Sequence, residues 1–188
     1  MGDTSAVSRN HPRRFVPTSD TASVKSMSKS PFRRVVNRVL HLLARFLPGA
    51  TSIRPSLHRL RGVIVGKDVF IGDEVYLENE HPEAVEIQSG VQISVRAIIL
   101  AHTRGSGRVV IQKNAFIGPN SVIATSGNRT LRIGEGAVIG AGVVVTRDVP
   151  AHVFVTSMAA RPVARVSVPL TRAEKMEDFL RGLVPIRR

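Results

Sequence analysis

The 188-residue chain has no cysteine and no tryptophan, one tyrosine and seven phenylalanines. The missing cysteine excludes thiolate nucleophiles, disulfides, thiolate-bound zinc and iron–sulfur clusters, and gives no support to an oxidising compartment. So few aromatic rings argue against a nucleic-acid platform built on base stacking. They also leave Val, Ile, Leu and Ala to make the core. No uncharged apolar run reaches the roughly 18 residues of a spanning helix, and the first 30 residues hold no apolar signal core, so the expected compartment is the cytoplasm.

Acidic residues are few, 14 against 27 Lys and Arg, and they are unevenly placed. Residues 1–62 carry twelve Lys or Arg and two Asp, whereas residues 63–188 carry fifteen and twelve acids. The excess of charge therefore belongs to an N-terminal extension, and a near-neutral body argues against nucleic acid as a partner. Residues 1–30, rich in Ser, Thr, Arg and Pro without apolar period, read as a disordered basic tail. Residues 31–62 read as an amphipathic helix and a linker. Ser30 and Pro31 form a start signal and Pro48-Gly49 a stop. Between them Phe32, Val35, Val36, Val39, Leu40, Leu43, Phe46 and Leu47 recur at helical steps, with Arg33, Arg34, Asn37, Arg38, His41 and Arg45 mostly on the other side. Two readings of 31–47 stand open: packing against the domain or a neighbouring subunit, or peripheral contact with an anionic membrane surface.

From residue 63 the aliphatic residues fall on a six-residue grid: Val65, Ile71, Leu77, Ile87, Ile93, Ile99, Ile111, Ile117, Ile123, Ile133, Ile139 and Val145. Gly follows the grid residue at 66, 72, 118, 134 and 140, and a small or β-branched residue recurs four positions after it. Steps of ten at 77–87 and 123–133, and of twelve at 99–111, are loops pushed out of a regular scaffold. A period of six matches neither a helix nor a flat strand. It means short strands separated by tight turns, stacked as coils that bury their apolar positions only against one another. Three hexapeptides to a coil over roughly 100 residues predict about six coils. The predicted fold is all-β, a parallel β-helix over residues 63–168. A short helix over 169–188 follows, opened by the capping pattern Thr171-Arg172-Ala173-Glu174 and packed across the coils. The Gly134-Glu135-Gly136-Ala137-Val138-Ile139-Gly140 run is mis-spaced for a dinucleotide fingerprint.

The segments Ile71-Gly72-Asp73-Glu74-Val75-Tyr76, Ile117-Gly118-Pro119-Asn120-Ser121-Val122 and Ile133-Gly134-Glu135-Gly136-Ala137-Val138 resemble the hexapeptide-repeat acyltransferases, nearest to the sugar O-acetyltransferases. The resemblance implies a left-handed β-helix, a homotrimer, and acetyl-CoA bound between subunits. Acyl transfer needs a base for the acceptor's proton and donors for the developing oxyanion. With no cysteine and no serine in a nucleophile elbow, direct attack by the acceptor is the economical route, and histidine the natural base. His81, His102 and His152 lie in the repeat region. His102 stands off the inward columns and opens the irregular Thr103–Arg108 segment, the kind of break at which the family places its catalytic histidine.

The Glu78-Asn79-Glu80-His81-Pro82-Glu83 loop, about one coil earlier, offers Asn79 and Glu78 as candidate ligands for the acceptor. Carried over from the family, Ala141, Thr146 and Arg147 are the candidate CoA contacts. Arg161 joins them as the basic residue of Ser157-Met158-Ala159-Ala160-Arg161, which lacks the family's usual Gly and Pro. Pro119 stands where relatives use a backbone N–H on the thioester carbonyl, and proline has none. No metal is expected. A γ-type carbonic anhydrase on this scaffold needs two histidines five residues apart, which the repeat region lacks. The expected function is transfer of acetyl from acetyl-CoA to a saccharide hydroxyl, in envelope or exopolysaccharide synthesis. Beside it stand N-acetylation of an amino sugar, serine acetylation, and a non-catalytic trimeric scaffold docked through residues 31–47.

Overall fold

A computed structural model describes residues 31–103, 105–157 and 162–186; the expectation for the 1–30 tail lies outside them. Helices α1 (Pro31–Phe46) and α2 (Ile53–Arg61) precede thirteen short strands. These are β1 (Ile64–Val65), β2 (Phe70–Ile71), β3 (Tyr76–Leu77), β4 (Val85–Ile87), β5 (Gln92–Ile93), β6 (Ile98–Leu100), β7 (Arg108–Ile111), β8 (Phe116–Ile117), β9 (Val122–Ala124), β10 (Thr130–Ile133), β11 (Val138–Ile139), β12 (Val144–Val145) and β13 (Phe154–Val155). The strands pair in parallel in three sheets ordered β1-β4-β7-β10, β2-β5-β8-β11-β13 and β3-β6-β9-β12, every third strand pairing save β11 with β13. The fold is a left-handed parallel β-helix of triangular section.

There are about four coils rather than six. Partners along the first sheet, Val65, Ile87, Ile111 and Ile133, are 22 or 24 residues apart, because each coil spends extra residues at one corner. The grid residues from Ile71 to Ile139 are all fully buried, and the second column, Val69, Val75, Val91, Ala97, Ala115, Ser121, Ala137 and Val143, fills the space between them.

Two of the three corners are built alike. The third residue after a grid aliphatic adopts the left-handed conformation at Asp68, Glu74, Gly90, Arg96, Asn114, Asn120, Gly136 and Gly142, with φ from 53° to 74°. A residue there reverses the chain within one hexapeptide. The corner after the β3-β6-β9-β12 sheet lacks this turn and carries every insertion. The glycines that follow grid residues have another cause: a Cβ on Gly134 would stand 2.3 Å from the amide nitrogen of Ala151 in the next coil.

A β-helix leaves the carbonyls of its first coil without a strand above them. Helix α2 covers that edge, and it occupies part of the segment expected to be a linker. Its polar sequence has no apolar stripe to announce it; its buried side chains are Arg54, Pro55, His58 and Arg61. Three arginines each take the carbonyl of one grid residue: Arg59 Nε donates to Val65 at 3.1 Å, Arg54 Nη1 to Ile71 at 3.1 Å, and Arg61 Nη2 to Leu77 at 3.5 Å and Glu78 at 2.8 Å. Three of the twelve basic residues read as belonging to an extension are thus an edge cap, one guanidinium to each side of the prism.

Helix α1 packs on α2 and on Tyr76, whose ring meets His41 edge-on at 4.7 Å. Its buried residues are Asn37, His41 and Ala44. At the other end, α3 (Met176–Arg181) buries no residue and starts after Lys175, so Thr171 caps nothing; β14 (Ala164–Val166) and β15 (Leu183–Pro185) pair antiparallel beside it. The expected helix across the coils is a six-residue turn of helix at the edge of a small hairpin, because its apolar residues Met176 and Leu180 stay in solvent.

Gly134→Ala is expected to lower stability by about 1–3 kcal/mol through overpacking against backbone. Gly142→Ala, whose Cβ meets nothing within 4 Å, pays only for its left-handed turn. Thermal melts of the two variants check the order.

The cap also titrates. Burial, then the charges of Arg61, Arg45 and Arg38, pull His41 down to about 4. Burial, then Arg61 and His41, pulls His58 to about 3. Both imidazoles are neutral in the folded chain and regain an ordinary value near 6.5 when released, so the unfolded chain binds more protons below pH 6.5. Stability is fully present above that pH and falls as pH drops toward 4, by several kcal/mol at roughly 1.4 kcal/mol per unit of separation. Melts stepped from pH 7 to 4 are expected to show the fall, and His41→Phe, which keeps a ring against Tyr76, a shallower one.

Candidate active site

The irregular corner follows the strands β3, β6, β9 and β12, so the segments after them lie one above another along a single edge of the prism. Glu78 and Asn79 follow β3, Ala101 and His102 follow β6, Thr125 follows β9, and Thr146 and Arg147 follow β12. At about 4.8 Å per coil, His102 and Thr146 stand two steps, roughly 10 Å, apart along the axis. The stacking thus brings together residues separated by as many as 69 positions in the chain.

Glu78, expected as a ligand for the acceptor, is fully buried. Its two carboxylate oxygens are turned inward onto four N–H groups. Oε1 accepts from the amides of Glu80 at 2.9 Å and His81 at 3.3 Å. Oε2 accepts from the amide of Ala101 at 3.0 Å and from His102 Nδ1 at 2.5 Å. Burial pushes the Glu78 carboxyl up, but the hydrogen bonds from His102, Ala101 and His81 outweigh it and hold the group below the ordinary carboxylate value. A carboxylate is the only side chain here that accepts from four donors at once. Its main chain is held from the other side by the Arg61 guanidinium, which also lies 3.4 Å from Asn79 Oδ1.

The His102 side chain is one-third exposed. With Nδ1–H committed to Glu78, Nε2 is the ring nitrogen left for another partner. The Glu80 carboxylate is 3.5 Å from that nitrogen, and the His81 ring meets His102 edge-on at 5.6 Å. His81 itself pairs with Glu83 at 3.5 Å. Thr103 Oγ1 donates to the Thr125 carbonyl at 2.5 Å, tying the start of the inserted loop to the next coil. Half-buried Asn79 adjoins Glu78 in the same loop.

Farther down the edge, Thr146 and Arg147 are exposed, and Arg129 Nη2 donates to the Thr146 carbonyl at 2.6 Å. The sequence alone gives Arg129 no role; its place directly before β10, inside an inserted loop, is the available signal. A hydroxyl and two guanidinium groups suit the phosphates of a nucleotide-bearing donor. Ala141 lies on the other side of β12, at the exposed left-handed corner with Gly142. Arg161 lies outside the described residues. The Pro119 carbonyl accepts from the Gly142 amide at 2.9 Å. Among the described residues no group of three or more His, Asp or Glu is disposed to hold a metal ion.

Residues 108–147 match the family "Hexapeptide repeat of succinyl-transferase". Over 133 residues, 66% of this chain and 74% of the relative, the sequence is 32% identical to YvoF of Bacillus subtilis (strain 168), an acetyltransferase by name. It is 49% identical over 55 residues to the dTDP-3-amino-3,6-dideoxy-alpha-D-galactopyranose 3-N-acetyltransferase of Aneurinibacillus thermoaerophilus, 29% of this chain and 27% of that one. Among solved structures, serine acetyltransferase from Neisseria gonorrhoeae in complex with serine aligns at 25% identity and a TM-score of 0.42, over 69% of this chain and 55% of that one. The chain thus spans about half the length of the latter and under a third of the former N-acetyltransferase.

The geometry sets the tautomer of His102. Nitrogen-15 NMR of the neutral ring is expected to show its proton on Nδ1, and Glu78→Ala is expected to abolish that preference.

Proposed function

The chain belongs to the hexapeptide-repeat acyltransferases, and on that premise we propose that it transfers acetyl from acetyl-CoA to a saccharide hydroxyl, with His102 as general base. The observation that carries this reading is the Glu78–His102 pair, a buried carboxylate that orients a one-third-exposed imidazole and leaves its Nε2 for the acceptor. Acetyl-CoA, when bound, supplies an acyl carbon activated as a thioester. His102 Nε2 takes the proton of the acceptor hydroxyl as its oxygen forms the new bond to carbon, and later yields that proton to the departing sulfur. Glu78 stays ionised and stabilises the imidazolium, as its four donors and depressed carboxyl value support.

Glu78 is in this reading a positioning residue, and Arg61, bonded to its carbonyl, steadies it from the cap. Asn79 and the exposed Glu80 stand where an acceptor's hydroxyls would meet them. Ala141, Thr146 and Arg147, joined by Arg129, form the donor side. Arg161 is retained there as a candidate. Pro119 offers no N–H, so the developing oxyanion takes its hydrogen bond from another amide. A homotrimer with the donor between subunits belongs to the same proposal, and saccharides of envelope or exopolysaccharide synthesis are the acceptor class. The similarity to a sugar N-acetyltransferase favours, as a second reading, an amino group in place of the hydroxyl.

Release of CoA thiol, measured with sugars, amino sugars, nucleotide sugars and serine, tests the proposal. His102→Ala is expected to lower kcat by about 10²–10⁴-fold, and Glu78→Gln to lower kcat with little change in KM for acetyl-CoA. Mass spectrometry of the product places the acetyl group on oxygen or nitrogen. Undiminished turnover in His102→Ala overturns the assignment of the base. Failure to bind CoA or turn over any acceptor returns the chain to a scaffold role.

A further inference from the structure

Helix α1 is oriented against the usual rule. A surface helix turns its apolar stripe to the core, but α1 packs inward through Asn37, His41 and Ala44 and sends its apolar residues out. Phe32 is 78% exposed, Val35 62%, Val39 50% and Phe46 65%, with Val36, Leu42, Leu43 and Leu47 between them. At about 100° per residue these cover an arc of about 140°, centred roughly opposite the buried side. The inward side is polar because it lies on the edge cap, where the rings of His41, His58 and Tyr76 meet.

The rim of the stripe is cationic. Arg33, Arg34 and Arg38 are exposed, and the Arg45 guanidinium lies 5.5 Å from the Phe46 ring centre. No acidic residue occurs between Asp20 and Asp68, a stretch with ten Lys or Arg, and residues 1–30 before the helix are themselves net positive, five basic against two acidic. No described helix is long and apolar enough to cross a membrane, and α1, at 16 residues or about 24 Å, has the length of one lying in the interface.

We propose that α1 is a docking surface for an anionic lipid bilayer: its apolar stripe enters the headgroup boundary, its arginines meet the lipid phosphates, and the β-helix is held against the membrane by its capped end. The charge selects lipid over a second copy of the chain, because α1 and α2 contain no acid and two such helices repel one another. The proposal stands on the helix alone and does not depend on the catalytic reading.

The test is cosedimentation of the full chain with vesicles of phosphatidylcholine alone and of phosphatidylcholine with phosphatidylglycerol, at low and high salt, with particle mass from light scattering. The wild type is expected to bind the anionic vesicles at least tenfold more tightly than the neutral ones, less so at high salt. Val39→Asp/Phe46→Asp, both exposed and free of core packing, is expected to lose that binding at unchanged particle mass and circular dichroism. Arg34→Glu/Arg38→Glu is expected to lose the preference for anionic lipid. The proposal is overturned by equal binding of wild type and variants, by absence of binding to anionic vesicles, or by a change of particle mass in Val39→Asp/Phe46→Asp, which would place the stripe between copies.

Discussion

A coil of this β-helix is stable only where another coil covers it, so the first coil is the point on which the remainder depends. Its outward carbonyls must be satisfied without a strand. The chain meets this with three guanidinium groups on one short helix, each aimed at the same position of a different hexapeptide. Arginine suits this because its donors are spread over a planar fork on a long stem, and because its charge persists even where burial draws Arg61 down to about 10.

The cap determines more than the edge. Arg61 reaches beyond the grid residue to the Glu78 carbonyl, and Glu78 in turn holds His102, so the end of the prism and the candidate site share one chain of hydrogen bonds. The same polar layer gives α1 its unusual orientation. Buried imidazoles at His41 and His58 tolerate that layer only when neutral. A helix seated on them has its apolar residues left over for a different medium.

The site itself depends on the asymmetry of the corners. Left-handed turns at two corners consume no extra residues and keep the sheets in register; the third corner is free of that constraint and absorbs all the insertions. Loops added at one corner of successive coils must stack, since strand pairing fixes the axial step. A carboxylate from one coil and a histidine from the next are brought into contact by that stacking, with Arg129 one coil and Arg147 two coils below the histidine.

The aliphatic grid alone determined the β-helix, because a period of six has no other way to bury its aliphatic residues, and it located His102 at a break in that period. It overcounted the coils, since the hexapeptide is not the coil length once a corner is expanded. Glu78 was legible as a polar residue near His102, but not as its buried partner, because its neighbours are supplied by strand register and not by adjacency. Helix α2 left no apolar signal, since it is held by backbone carbonyls it meets only in the folded chain. The amphipathic pattern of α1 was plain in the sequence. Only tertiary structure decided which of its faces points inward, because that depends on the polarity of the surface it lands on.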